Sequence, residues 1–131
     1  MPPADRRTFS FPKWARLLRR GEFVAVRRRG QGFADGPLAA SWAPRAGGGP
    51  GIASSTARVG IAVSSKVGDA VVRKRVKRRL REAIRHELHR LPEVDLVLVA
   101  RASATRASVG ELRAWVRRAG LRIAADRERG P

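Results

Sequence analysis

Apolar residues recur at helical spacing in some stretches of this chain and at strand spacing, or in unbroken runs, in others. The periods predict the order helix, strand, strand, helix, strand, helix. "GEFVAVRRRG", residues 21–30, reads as a short first helix. Glu22 stands in its first turn, Arg27 to Arg29 in its last and Gly30 just beyond, a charge order that suits the helix dipole. "PLAASWA" is a weak strand, assigned more from its downstream neighbours than from its own pattern. Residues 44–57, rich in Gly, Pro, Ser and Ala, read as a flexible loop. "RVGIAVS" alternates, with Val59, Ile61 and Val63 pointing one way. Gly68 and Asp69 form a turn and N-cap, the carboxylate accepting from the first free amides. A long helix then runs from about Ala70 to Leu91, stopped by Pro92. "DLVLVAR" is the continuous apolar run of a strand buried on both faces. Ser108 and Glu111 match a capping box, and Leu112, Trp115, Val116 and Ala119 line one face of a last helix.

The polar ends, 1–13 and 124–131, read as loose tails, so one domain is expected over 14–123. A chain of 131 residues is long enough for one modest core.

The long helix carries the unusual chemistry. At 100° per residue, Val72, Val76, Leu80, Ala83, Ile84, Leu88 and Leu91 fall within an arc about 160° wide. Lys74, Arg78, Arg81, Arg85 and His89 lie opposite. Yet "RKRVKRRLR", residues 73–81, holds seven cations and no acid. Its seven like-charge pairs at three- and four-residue spacing cost about 1.5–3.5 kcal/mol at low salt. Arg73 and Lys77 share the angular position of Leu80, Ile84 and Leu88, where full burial without a partner would be prohibitive. Two readings stand: the first turns overhang the core and present these cations to a ligand, or both stems snorkel over apolar neighbours.

The net charge of +18, from 29 Lys and Arg against 11 Asp and Glu, favours a polyanionic partner. Arg outnumbers Lys 25 to 4; guanidinium forks suit phosphates, although a coding bias explains the ratio as well. Cysteine is absent, which removes disulfides, thiolate metal sites and a Cys nucleophile. No apolar run approaches the length of a membrane span, and nothing near the start resembles a signal peptide, so a cytoplasmic protein with no membrane partner is expected.

No catalytic residue and no metal ligand emerges. "HELH", residues 86–89, misses the HExxH zinc motif because residue 90 is Arg, and it reads as polar residues on a solvated helix face. There is no paired-carboxylate cluster and no Ser/His/Asp arrangement with context. The Gly-rich segment 47–51 lacks the following Lys-Ser/Thr that completes a phosphate-binding loop.

"VGDAVVRKRVKRRLREAIR", residues 67–85, resembles the signature of the bacterial ribonuclease P protein component, with "RLLRRGEFVAVRRRG" and "RVGIAVSSKVG" before it and "DLVLVAR" after it. The likeness covers about Arg16 to Leu121. Two positions depart from the pattern: Lys74 replaces the central Asn of an Arg-Asn-Arg triplet, and Asp69 replaces a capping Asn. The resemblance implies an α/β domain like the second domain of ribosomal protein S5, with a four-stranded mixed sheet. It also implies a left-handed βαβ crossover, where such crossovers are otherwise right-handed. The implied role is RNA binding within a ribonucleoprotein endonuclease that removes the 5′ leader from precursor tRNA, the RNA subunit holding the catalytic Mg2+ and the protein holding none alone. The catalytic RNA would be bound by Arg73, Lys74, Arg75, Lys77, Arg78, Arg81, Lys66 and Arg28. The leader would lie in a cleft of Phe23, Arg27 and a first-strand aromatic, Trp42 or else Phe33. Phe23 reads equally well as a core residue, and Arg27 stands where the family has a second aromatic. The alternative is a ribosomal or ribosome-assembly protein. A DNA-binding regulator would need a helix-turn-helix or zipper, and a strand comes after the long helix instead.

Overall fold

The structure, a computed structural model, describes residues 11–45 and 57–129. Four strands form one mixed sheet: β1 (Gln31–Asp35), β2 (Leu38–Pro44), β3 (Arg58–Ala62) and β4 (Val94–Ala100), in the order β1-β2-β4-β3. β1 and β2 pair antiparallel, as do β2 and β4, whereas β3 and β4 are parallel and joined through a helix. Three α-helices complete the domain: α1 (Arg20–Arg29), α2 (Ala70–Glu87) and α3 (Val109–Glu128).

Side chains alternate across a strand, so each strand serves two layers. Leu38, Ala40 and Trp42 of β2, with Leu96 and Leu98 of β4, pack with Val76, Leu80 and Ile84 of α2 and Leu112, Trp115 and Val116 of α3. The intervening Ala43 and Val97 pack with Leu17, Val26 and Phe23 beneath α1. β4 is therefore covered on both faces, which explains its unbroken apolar run. Each fully buried Leu here contributes about 1.5–3 kcal/mol.

The caps expected from the sequence form. Asp69 accepts from Val72 N at 3.0 Å, and Ser108 Oγ accepts from Glu111 N at 3.1 Å. Five expectations change. β1 was absent from the periodicity reading; it has one half-buried apolar residue, Phe33, between exposed neighbours. The long helix ends at Glu87 and tightens into a 3-10 turn, Leu88–Arg90, before Pro92. The supposed C-terminal tail is helical to Glu128, because Ile123 still packs in the core. Before residue 14, Phe11 is only 8% exposed, and the Arg16 guanidinium lies 4.7 Å from its ring centre. Of the loop placed at 44–57, Pro44 closes β2 and Ala57 is buried; residues 46–56 lie outside the described part.

Candidate nucleic-acid interface

The first turns of α2 project past the core. Burial begins at Val76, while Ala70 and Val71 are exposed and Val72 is half-buried. Gly68 lets the chain enter this helix closely, since a Cβ there would stand 2.8 Å from Val72 Cγ1. On the outer flank Lys74, Arg75, Lys77, Arg78 and Arg81, with Val71, line an open depression of about 610 Å³. Of the seven cations in 73–81, Arg79 is committed inward, its Nη1 donating to Thr105 O at 3.1 Å. The other six have no carboxylate within ion-pair distance among the described residues.

The two core-facing cations divide. Lys77 is half-buried and reaches the outer depression, whereas Arg73 is half-buried with its Nε enclosed and without a hydrogen-bond partner among the described residues. Glu82, just beyond the cluster, is held by Arg85 at 2.7 Å and by His86 at 3.3 Å. The Arg85 hydrogen bond leads in lowering its pKa to about 2. Lys66 is exposed in the turn between β3 and α2.

α1 forms the second part of the surface, on the opposite layer. Its N-terminus is fixed by Glu22, whose Oε1 accepts from the amides of Leu18 and Arg19 at 3.1 and 3.0 Å. Glu22 Oε2 accepts from Arg58 Nη1 at 3.2 Å, and Arg58 also grips Asp95 with two bonds of 2.9 Å. Asp95 is buried, and its hydrogen bond to Arg58 is the leading reason that guanidinium's pKa is raised. This triad spans α1, β3 and β4. Sequence reasoning passed over it, although an acid opening an otherwise apolar strand was a signal.

Phe23 is half-buried, its ring lying directly over Gly60 of β3. Arg27, one turn on, is exposed, as is Arg28. Beyond α1 the same sheet face is uncovered: the register places Ala34, Ala39, Val99 and Ala62 in one row across all four strands, each half-buried or exposed. Phe23 packs against the same cluster as Val99 of this shelf of small side chains, and Arg27 is exposed one turn further along α1.

Trp42 does not join them. It belongs to the layer of α2 and α3 and is 5% exposed. Phe33 points to that layer too, stacked on Trp115 at 5.9 Å, with the Arg122 guanidinium 4.1 Å from its centre. The period of two puts both aromatics on the face away from α1, so neither lines a cleft with Phe23.

Glu87 corrects the solvated reading of "HELH". It is fully buried and accepts from Arg113 at 3.1 Å, Arg117 at 3.0 Å and Arg90 at 3.4 Å. Burial pushes its pKa up, but the hydrogen bonds from Arg117 and Arg113 outweigh this and hold it below the ordinary carboxylate value. The network locks α2 to α3. Among the described residues no three His, Cys, Asp or Glu side chains converge as a metal site would need, and no helix is long and apolar enough to cross a membrane.

Comparison with known proteins matches this architecture. A family model described as Ribonuclease P matches residues 11–124. The ribonuclease P protein component of Gluconacetobacter diazotrophicus is 42% identical over 114 residues, covering 82% of this chain and 92% of that protein. That of Desulfovibrio desulfuricans is 43% identical over 104 residues, covering 79% and 76%. Among solved structures, the RNase P protein of Staphylococcus aureus superposes with a TM-score of 0.67 at 24% identity, covering 84% of this chain and 94% of that one. The RNase P protein of Thermotoga maritima gives 0.68 at 22%, covering 82% and 96%. The two structures share this fold.

Proposed function

This chain belongs to the ribonuclease P protein family, and we propose that it binds the catalytic RNA along α2 and holds the 5′ leader of precursor tRNA beside α1. As a ribonuclease P protein component it is one part of an endoribonuclease, which implies the ribonuclease P RNA as its partner. The finer reading rests on the six cations of residues 73–81 that have no carboxylate partner among the described residues. Backbone phosphates would neutralise them and release counterions, the usual source of protein affinity for nucleic acid. The leader would run over the shelf from Ala34 to Ala62, a base stacking on the exposed part of Phe23 or on the Arg27 guanidinium. The magnesium chemistry belongs to the RNA in this reading, while Phe23, Arg27 and the α2 cations bind and orient.

The test is reconstitution. Added to a cognate catalytic RNA at low magnesium, the protein should restore cleavage of precursor tRNA at the 5′ end, and the Arg75→Glu, Arg78→Glu double variant should restore far less. Failure of the wild-type protein to accelerate cleavage, together with tight binding to ribosomal RNA fragments, would favour a ribosome-assembly role.

A further inference from the structure

One guanidinium holds the start of α1 to the sheet. Arg58 opens β3 and stands opposite Asp95 of β4 in the parallel register. Its Nε and Nη2 donate to the two Asp95 oxygens at 2.9 Å each, and its Nη1 donates to Glu22 Oε2 at 3.2 Å. The Asp95 side chain is 2% exposed, so its charge depends on that fork. Glu22 is committed through its other oxygen, since Oε1 caps α1 by accepting from the amides of Leu18 and Arg19. Each oxygen of Glu22 therefore has its own task, one inside the helix start and one across to the sheet.

This tie is continuous with the surface beside α1. Phe23 follows Glu22 directly, and Gly60, beneath its ring, lies two residues from Arg58 on the same strand. Side chains two apart share one face of a strand, so Arg58 and Gly60 meet α1 from the same side. Gly60 sets how deeply the ring sits, and Arg58 sets where the first turn of α1 stands along the strand. Backbone contacts hold the chain on either side of the helix: Leu17 N donates to Val59 O at 3.0 Å, and Gly30 leaves no room for a Cβ against the Trp42 carbonyl. Within α1, Glu22 makes the polar tie to the sheet.

We propose that Arg58 is a positioning residue for precursor tRNA: acting through Glu22, it sets the place of α1 against the sheet, and with it that of Phe23 and Arg27. The proposal rests on the reading that the leader lies beside α1. Arginine is required because its planar fork reaches two carboxylates at once, whereas a lysine ammonium is a point charge on a flexible stem. Glu22 is required because an amide has one acceptor oxygen and can keep the cap or the tie, not both. Arg58 need not touch RNA, and its side chain is 19% exposed.

The experiment uses the protein reconstituted with a cognate catalytic RNA. Affinities for precursor and mature tRNA are measured for wild type, Glu22→Gln, Arg58→Lys and Phe23→Ala, together with each protein's affinity for the catalytic RNA and its melting temperature. Arg58→Lys keeps a cation beside Asp95, and Glu22→Gln, at a half-buried position, carries the test should Arg58→Lys not fold. Each should lower the precursor-to-mature affinity ratio about two- to tenfold, a part of the roughly five- to hundredfold attached to one stacked base. Affinity for the catalytic RNA should hold, because α2 lies on the other layer. Once Phe23 is alanine, adding Glu22→Gln should lower the ratio little further, since changes that act on one contact are not additive. Equal losses for both tRNAs and for the catalytic RNA would make the triad a structural bond only and overturn the proposal. So would an unchanged ratio in folded Glu22→Gln and Arg58→Lys when Phe23→Ala lowers it. An unchanged ratio in Phe23→Ala itself would remove the leader reading, and the proposal with it.

Discussion

Gly60→Ala tests whether the Phe23 ring is seated by the sheet. A Cβ at residue 60 would stand 2.6 Å from Phe23 Cζ, 2.9 Å from its Cε2 and 3.0 Å from Leu17 Cβ. Gly60 is not at a positive φ, so alanine can adopt its backbone and the effect is steric. Overpacking of this kind costs about 1–3 kcal/mol, while alanine returns about 0.4–1 kcal/mol by restricting the unfolded chain. The net loss should be about 0.5–2 kcal/mol, or a melting temperature lower by about 2–10 °C. The ring cannot sink, so it must swing toward the shelf or lift α1. Either movement should narrow the difference in affinity between precursor and mature tRNA. Thermal melts and binding titrations measure both effects. In the Phe23→Ala background the cost of Gly60→Ala should fall to what the Leu17 contact leaves, giving a coupling of about 0.5–2 kcal/mol. Gly60→Ala that is neutral or stabilising, or that costs the same with and without Phe23, would refute the packing argument.

Phe23→Ala should weaken precursor tRNA binding about five- to a hundredfold if the ring stacks a leader base, with mature tRNA little changed; equal losses for both, accompanied by a lower melting temperature, would make Phe23 a core residue only. Arg75→Glu with Arg78→Glu should leave the melting temperature within a few degrees, since both are exposed, yet reduce the salt slope of RNA binding in filter or fluorescence titrations. Sulfate should raise the melting temperature of the free protein; at ten times its dissociation constant it would add about 1.4 kcal/mol by binding the folded state, whereas a flat or falling curve would count against repulsion in α2. Glu87→Gln should cost about 1–3 kcal/mol at neutral pH, less than the ~3–5 of a fully buried pair because its arginines reach solvent. Its folded pKa lies below the unfolded value, so the stabilisation is complete above the ordinary carboxylate range and is lost as pH falls through the folded pKa. Acid melts of wild type and variant should therefore converge at low pH, and parallel curves would exclude Glu87 as the titrating group.

What the sequence disclosed and what it hid divide along physical lines. Asp69 and Ser108 cap their helices through bonds spanning three residues, so local pattern was enough. Val59, Ile61 and the run in β4 were legible because each strand buries a whole face. β1 was not: as an edge strand it is defined by pairing with β2, from Gln31 opposite Trp42 to Asp35 opposite Leu38, and its residues show no alternation of their own. The cleft aromatic was misplaced for a related reason. Trp42 is one residue from Ala43, and only the register shows that Ala43 faces α1 while Trp42 faces α2 and α3. The cation cluster was visible as charge, but Arg79's turn toward Thr105 depends on a segment 26 residues away.

The positive surface of α2 arises as much from where acids are placed as from how many bases there are. Glu22 and Asp95 are drawn to Arg58 at the joint of α1 with the sheet, and Glu87 is surrounded by Arg90, Arg113 and Arg117 at the joint of α2 with α3. These three carboxylates occupy half-buried or buried positions and hold layers together. Between Asp69 and Glu82 there is no acid at all, and Glu82 is taken up by Arg85 and His86. An even scatter of the same 11 acids would give neighbouring charges that cancel within about one Debye length, roughly 8 Å at physiological salt. With three of them at the joints and none between Asp69 and Glu82, the cations of the first turns of α2 have no carboxylate within ion-pair distance among the described residues. The repulsion this creates in the free protein is the free energy that a phosphate backbone would relieve on binding.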